Sequence, residues 1–177
     1  MSEPLPEYWS KCGLFGVRIE SDAATSLLVH CRASKRFETG GILVGRYSHD
    51  RRLASITAIS GPSPDTRAGA FWLVRGVQGL HSWLLSLWKQ NATHYVGEWH
   101  FHPFAPPTPS QQDVRQMNHI AKTGSYQCAE PILLIVGGDP NGSWTIRIEV
   151  HTRSGGRHLL SQRSDHAARL HPAGQCD

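Results

Sequence analysis

At 177 residues, the chain is long enough for one domain with a buried core and too short for two domains of ordinary size. Its apolar fraction of 39% and charged fraction of 18% are typical of a soluble globular protein. No apolar run approaches the roughly 18 residues of a membrane-spanning helix, and the stretch MSEPLPEYWSKCGLFGVRIE lacks the basic-then-apolar order of a signal peptide. We therefore expect a cytoplasmic protein that does not bind membranes.

The formal net charge of +4 and the pI of about 9.1 raise the question of nucleic-acid binding. The arginines are dispersed and no basic run is interleaved with aromatic residues, so we do not expect nucleic acid as a partner. Part of the positive charge lies in residues 151–177, which favours a solvated basic tail. Because the four cysteines are scattered without a C-x-x-C pair, we expect neither a disulfide framework nor a cysteine zinc site.

The first half of the chain predicts a strand, a helix, a hairpin, a loop and a second helix. They cover residues 13–19, 21–34, 40–47 with 52–60, 61–70, and 76–90. Ser21 or Asp22 can cap the first helix. We expect the apolar stripe of the second helix to pack in the core: Val77, Leu80, Leu84, Leu87 and Trp88.

The second half predicts strands over residues 94–102, 131–138 and 143–150, with a helix from Ser110 to about Lys122 after the first of them. Residues after 155 have weak periodicity and predict a short helix or a frayed end. The fold class is therefore α/β (α+β), a mixed central sheet flanked by helices in one domain. We place this domain at 14–152, between an N-terminal extension (1–13) and a basic tail that is a candidate for disorder (153–177).

The stretch GEWHFHPFAPPTPSQQD carries two histidines one residue apart in the strand over residues 94–102. Because side chains alternate along a strand, Glu98, His100 and His102 share one face, and Trp99 and Phe101 share the other. We expect the aromatic pair in the core and the two imidazoles close enough to share one ion.

A proline-rich loop then leads to the helix that Ser110 caps, and Asp113 lies in the first turn of that helix. Two imidazoles, one carboxylate and an open fourth position form the ligand pattern of a catalytic rather than a structural zinc. The pattern H-x-H-P-x6-S-x-x-D has five fixed residues and arises by chance about once in 10⁶ starting positions. A metal site therefore explains it better than an accident of a histidine-rich chain.

These residues resemble the JAMM motif of the JAB/MPN metalloproteases, in which H-x-H-P is followed at this spacing by S-x-x-D. The family also has an upstream catalytic glutamate before Thr/Ser-Gly-Gly, and RFETGGILVG supplies Glu38 in that context. Phe101 departs from the serine or threonine that is common in the family, but alternation places it away from the metal. The resemblance implies a cytidine-deaminase-like architecture; deaminase activity itself is disfavoured because the H-x-E and P-C-x-x-C signature is missing.

The resemblance implies a role for each residue. His100, His102 and Asp113 hold one Zn²⁺ per chain, with the fourth position left for a water. Glu38 is the general base that takes the proton of this water and later gives it to the leaving amine. Ser110 donates a hydrogen bond to the oxyanion that develops on the substrate. Because Glu98 shares the histidine face of its strand, it is the rival base or else a group that orients one of the metal ligands.

The loop over residues 61–72 is long and unusual for a connection. Arg67 can bind a peptide backbone or an acidic patch, and Phe71 and Trp72 can cover an apolar side chain. The resemblance places this region near the catalytic cleft, so we expect the loop to bind the substrate tail. The alternative is that Phe71 and Trp72 only begin the packing of the following helix.

The resemblance implies hydrolysis of the bond after the C-terminal tail of a ubiquitin-like modifier. The combination of GPSP, a helix and YVGEWHFHP resembles the compact proteases of antiphage operons, in which a nucleotidyltransferase is a modified partner. One alternative is a JAB protease that processes a sulfur-carrier protein. Another is a catalytically silent MPN scaffold, although such a protein is expected to lack Glu38 or one of the three metal ligands.

Overall fold

The computed structural model describes residues 6–69 and 73–163. Ten strands alternate with three helices: β1 (Glu7–Ser10), β2 (Gly16–Ile19), α1 (Ser21–Ser34), β3 (Thr39–Tyr47), β4 (Leu53–Ile59), β5 (Arg67–Ala68), β6 (Leu73–Val74), α2 (Leu80–Asn91), β7 (His94–Pro103), α3 (Gln111–Lys122), β8 (Ile132–Gly138), β9 (Trp144–His151) and β10 (Arg157–Gln162). A short 3₁₀ turn, Gly124–Tyr126, follows α3. No helix within these residues has the length and apolarity needed to span a bilayer.

Eight of the strands form one mixed sheet in the order β1-β10-β9-β8-β7-β3-β4-β2. The sheet closes into a barrel because β1 pairs with both β10 and β2. The β2–β4 and β7–β8 pairs are parallel, and the other pairs are antiparallel. Strands β5 and β6 form a separate two-stranded sheet.

The strands β1 and β10 lie outside the domain that the sequence predicts over residues 14–152. β1 lies in the predicted N-terminal extension, and β10 lies in the predicted tail. The expectation of a short helix or a frayed end after residue 155 is wrong over β10, because this strand pairs with β9 and buries Leu160 in the core.

The helices α1 and α3 cover different parts of the sheet. α1 buries Ala23, Leu27 and Cys31 in the main core, together with Trp99 and Phe101. α3 packs Met117 and Ile120 against residues of β8 in a second cluster. The predicted alternation in β7 is therefore confirmed, since both aromatic side chains are buried in the main core.

Three local expectations are wrong. The N-cap of α1 is Glu20 rather than Ser21 or Asp22. The stripe of α2 is not buried: this helix has no buried residue, Trp88 is 53% exposed, and Val77, which precedes the helix, is 65% exposed. Amphipathic spacing predicts a helix, but it does not show that the apolar face is covered. Finally, the expectation that the cysteines form no disulfide is wrong for Cys12, which is disulfide-bonded. Cys31 and Cys128 are free and buried.

Candidate metal centre

The three side chains predicted as metal ligands converge beside the end of β7. His100 and His102 lie on one face of this strand, and Asp113 lies in the first turn of α3. One ligand atom from each lies within 4.8 Å of the others, and His100 Nδ1 is 3.0 Å from Asp113 Oδ1. A tetrahedral zinc with bonds of about 2.0–2.1 Å separates its ligand atoms by roughly 3.3 Å. The donor types and their spacing therefore fit a zinc ion.

The proline loop orients His102. Its Nδ1 lies 3.3 Å from the carbonyl oxygen of Pro106. When Nδ1–H donates to this carbonyl, the other ring nitrogen keeps its lone pair for a metal. Burial lowers the pKa of His102, and the charge of His100 adds to this, whereas the Pro106 carbonyl and Asp113 act in the opposite direction. The net shift favours the neutral imidazole, which is the form that binds metal.

The capping box of α3 fixes Asp113, as the sequence predicts. Ser110 N–H donates to Asp113 Oδ2 at 2.7 Å, and Asp113 N–H donates to Ser110 Oγ at 3.1 Å. Burial raises the pKa of Asp113, but the hydrogen bond and charge of His100, with the bonds from Ser110, outweigh it and lower the pKa to about 2. Asp113 is therefore anionic at neutral pH and ready to bind a cation.

The Ser110 hydroxyl lies beside the Asp113 carboxylate. A hydroxyl group has one donor and two acceptor positions. Ser110 Oγ accepts the Asp113 N–H, and the hydroxyl also interacts with the Asp113 carboxylate and lowers its pKa. Ser110 lies at the start of the helix turn that carries Asp113, at the edge of the donor cluster.

Glu38 lies immediately before β3 and close to the donor cluster. Strand β3 pairs with β7, and Gly40 lies opposite His100. The Glu38 carboxylate interacts electrostatically with His100 and Asp113. Burial raises its pKa; the charge of His100 lowers it, and that of Asp113 raises it further. Within the described part of the chain, no hydrogen bond or ion pair engages this carboxylate.

Glu98 is buried behind the histidines and is held by two long side chains. Arg75 Nη2 lies 2.7 Å from Glu98 Oε1, and Gln116 Nε2 lies 2.9 Å from Oε2. The Tyr95 hydroxyl lies 3.5 Å from Oε1. The sequence analysis missed Arg75 and Gln116. Gln116 stands three residues after Asp113 on the same helix, which is a usable signal, but nothing local links Arg75 to β7.

The predicted substrate loop is described only in part. Arg67 is exposed and lies in β5, which pairs with β6. Phe71 and Trp72 lie outside the described residues. The described part of the loop contacts the site where Glu38 N–H donates to the Gly69 carbonyl at 2.9 Å.

Gly137 lets the proline loop lie against the sheet. It stands opposite His102 in the β7–β8 pair. A Cβ at this position would come within 2.5–2.8 Å of the backbone of Ala105, Pro106 and Pro107. The absence of a side chain thus allows the loop to reach His102.

We expect Gly137→Ala to displace this loop and weaken the hold of Pro106 on His102. Overpacking of this kind destabilises a fold by about 1–3 kcal/mol. Chelator competition should show weaker zinc binding together with a lower Tm. The matched control is Gly124→Ala, because a Cβ there meets no atom within 4 Å. Unchanged zinc binding in Gly137→Ala would show that the loop does not need this close approach.

Comparisons with known proteins agree with this fold. The family model described as prokaryotic homologs of the JAB domain matches residues 20–147, which include all three helices and the whole donor cluster. The chain therefore belongs to the prokaryotic JAB family, and the predicted resemblance is confirmed.

Individual proteins that are similar to this chain include the following two. A protein of Enterobacter hormaechei subsp. hoffmannii (strain UCI 50), named CD-NTase/cGAS isopeptidase, is 41% identical over 144 residues, which cover 81% of this chain and 79% of that protein. The solution structure of protein DSY2949 from Desulfitobacterium hafniense matches with a TM-score of 0.53 at 16% identity. That match covers 88% of this chain and 99% of that one, and it supports the fold alone.

Proposed function

We propose that this protein is a zinc-dependent isopeptidase that removes a ubiquitin-like modifier by hydrolysing the bond after its C-terminal tail. The observation that carries the proposal is the convergence of His100, His102 and Asp113 next to Glu38. We further propose that it acts in a bacterial antiphage system on a modified nucleotidyltransferase. The name of the 41% identical relative supports this choice.

Each polar group of the site has a chemical task in this reaction. Zinc bound at the two histidines and Asp113 would supply Lewis acidity at the scissile bond. The Glu38 carboxylate takes a proton from the attacking water and transfers it to the leaving amine nitrogen. The Ser110 hydroxyl donates to the oxygen of the scissile carbonyl as negative charge develops there.

Glu38 is a better candidate for the base than Glu98. Both oxygens of Glu98 already accept hydrogen bonds, one from Arg75 and the other from Gln116. A proton acceptor needs an oxygen that water can reach. Glu38 is only partly buried, and no donor among the described residues occupies its oxygens.

The closed barrel supports a specific place for the substrate tail. Every strand of the eight-stranded sheet has two neighbours. Among the described residues, β5 and β6 are strands whose outer edges stay unpaired along their whole length. An extended peptide can add to such an edge through main-chain hydrogen bonds. The contact between Glu38 and Gly69 would bring this tail beside the base.

The main test is cleavage of defined fusions by the purified, zinc-loaded full chain. One fusion joins a bacterial ubiquitin-like modifier to a nucleotidyltransferase, and the other carries a sulfur-carrier protein in the modifier position. We expect cleavage of the first fusion after the last residue of the modifier. Preferential cleavage of the second would favour the sulfur-carrier alternative, and zinc binding without cleavage of either would favour a scaffold.

Arg67→Ala tests the substrate loop. We expect KM for the modifier fusion to rise about tenfold, with kcat and zinc content unchanged. In this proposal the exposed Arg67 guanidinium binds the substrate tail and takes no part in the chemical step. This change is cleaner than replacing the whole loop, since Asp65 accepts two backbone N–H groups that precede α2. Arg153→Ala, in the exposed turn before β10, is the matched control. An unaltered KM in Arg67→Ala would remove Arg67 from the binding surface.

A further inference from the structure

The buried Glu98 carboxylate joins three separate segments of the chain. Only 1% of its surface is exposed. One oxygen accepts from Arg75, whose side chain is 11% exposed, and the other accepts from Gln116. None of these three side chains belongs to the donor cluster, so they form a distinct network behind it.

Each end of the network is attached to an element of the proposed site. Arg75 is the residue that follows β6, and so it anchors one end of the β5–β6 sheet. Gln116 lies on α3, three residues after Asp113, and residues at this spacing share a helix face. Glu98 itself precedes His100 by two residues on the same face of β7.

The chemistry of the network makes these positions interdependent. A buried carboxylate that loses its partner is costly, so Glu98 keeps both donors in place. The Arg75 guanidinium cannot move away without leaving this charge unpaired. The Gln116 amide, in turn, links α3 to β7 through this carboxylate, from the helix face that also carries Asp113.

We propose that Arg75 and Gln116 are positioning residues that act through Glu98: Gln116 sets the place of Asp113, and Arg75 sets the place of the β5–β6 sheet beside it. The inference rests on the proposed function where it concerns the substrate. In this role Glu98 links the β5–β6 sheet to α3.

The test compares Gln116→Met and Arg75→Met with wild type, using the full chain. Zinc affinity is measured by chelator competition without substrate, and KM and kcat are measured with the modifier fusion. We expect Gln116→Met to weaken zinc binding about tenfold, the lower end of the effect of groups that orient metal ligands, with KM unchanged. We expect Arg75→Met to raise KM about tenfold, and Arg75→Lys to recover part of this loss.

Arg157→Met is the matched control, because Arg157 is paired to another carboxylate that is 1% exposed, Glu149, at a distance of 2.5 Å. It should lower Tm without changing zinc affinity, KM or kcat. If Gln116→Met and Arg75→Met change only Tm, as this control does, the network is merely structural and the proposal is overturned.

A triple variant tests the proposal if the single-substitution proteins fail to fold. Combining Glu98→Leu with Arg75→Met and Gln116→Met removes the buried charge together with its partners, and such apolar replacements commonly keep a fold. We expect a folded protein with weakened zinc binding and raised KM; wild-type values would overturn the proposal. If wild type cleaves no fusion, the proposed function fails, but the zinc affinity of Gln116→Met still decides the role of Gln116.

Discussion

The double substitution His100→Ala, His102→Ala is expected to empty the metal site and abolish cleavage. Wild type should purify with about one zinc per chain, because two imidazoles and one carboxylate can meet at a single ion. With both imidazoles gone, Asp113 is the only donor left in the cluster, and one carboxylate does not retain zinc. Metal analysis of the purified protein gives the stoichiometry, and the fusion assay gives the activity.

The fold should survive this change. The capping box between Ser110 and Asp113 does not involve the histidines, so α3 keeps its start. The control His49→Ala, His81→Ala removes two exposed histidines that lie elsewhere and should retain zinc. Stoichiometric zinc in the His100→Ala, His102→Ala protein would disprove the ligand assignment.

Glu38→Gln is expected to lower kcat by about 10²–10⁴, the range for loss of a general base, while zinc content and Tm stay at wild-type values. Glutamine has nearly the same shape, but its amide cannot take a proton from water. The substitution also keeps the hydrogen bond from the backbone N–H of residue 38 to the Gly69 carbonyl, because the side chain takes no part in it. Single-turnover cleavage of the modifier fusion measures the chemical step directly.

Glu98→Gln is the informative comparison. The rival assignment predicts that it loses the chemical step while Glu38→Gln cleaves normally. Our assignment predicts that Glu38→Gln loses the chemical step and that Glu98→Gln keeps it. Any defect of Glu98→Gln should appear in zinc affinity and KM. Comparing the single-turnover rate with zinc affinity and KM therefore distinguishes the roles of the two carboxylates.

The elements with local signals could be predicted from the sequence. The α3 helix begins where Ser110 and Asp113 form a capping box, and the strand alternation placed Trp99 and Phe101 in the core. The donor cluster is local too, since its three side chains all lie within residues 100–113. Such features depend on neighbours a few residues apart, which the sequence displays directly.

Features that depend on distant partners could not be predicted. β10 has weak alternation, and it forms because β1 and β9 offer it hydrogen-bonding edges. The stripe of α2 was assigned to the core, although this helix has no buried residue. The ion pair between Arg75 and Glu98 joins residues from different elements. In each case the deciding interaction is tertiary, and the local sequence carries no sign of it.

The pairing of β1 with β10 has a consequence for synthesis on the ribosome. Tyr8 stands opposite Gln162, so the first of the described strands to be made waits for the last of them. Closing so long a loop carries an entropic cost and is slow. Residues 38–113 emerge well before β10, so we expect a nascent chain to assemble the zinc ligands while the barrel is still open. Until β10 pairs with it, β9 presents a free edge, and this interval is when the chain is most prone to aggregate.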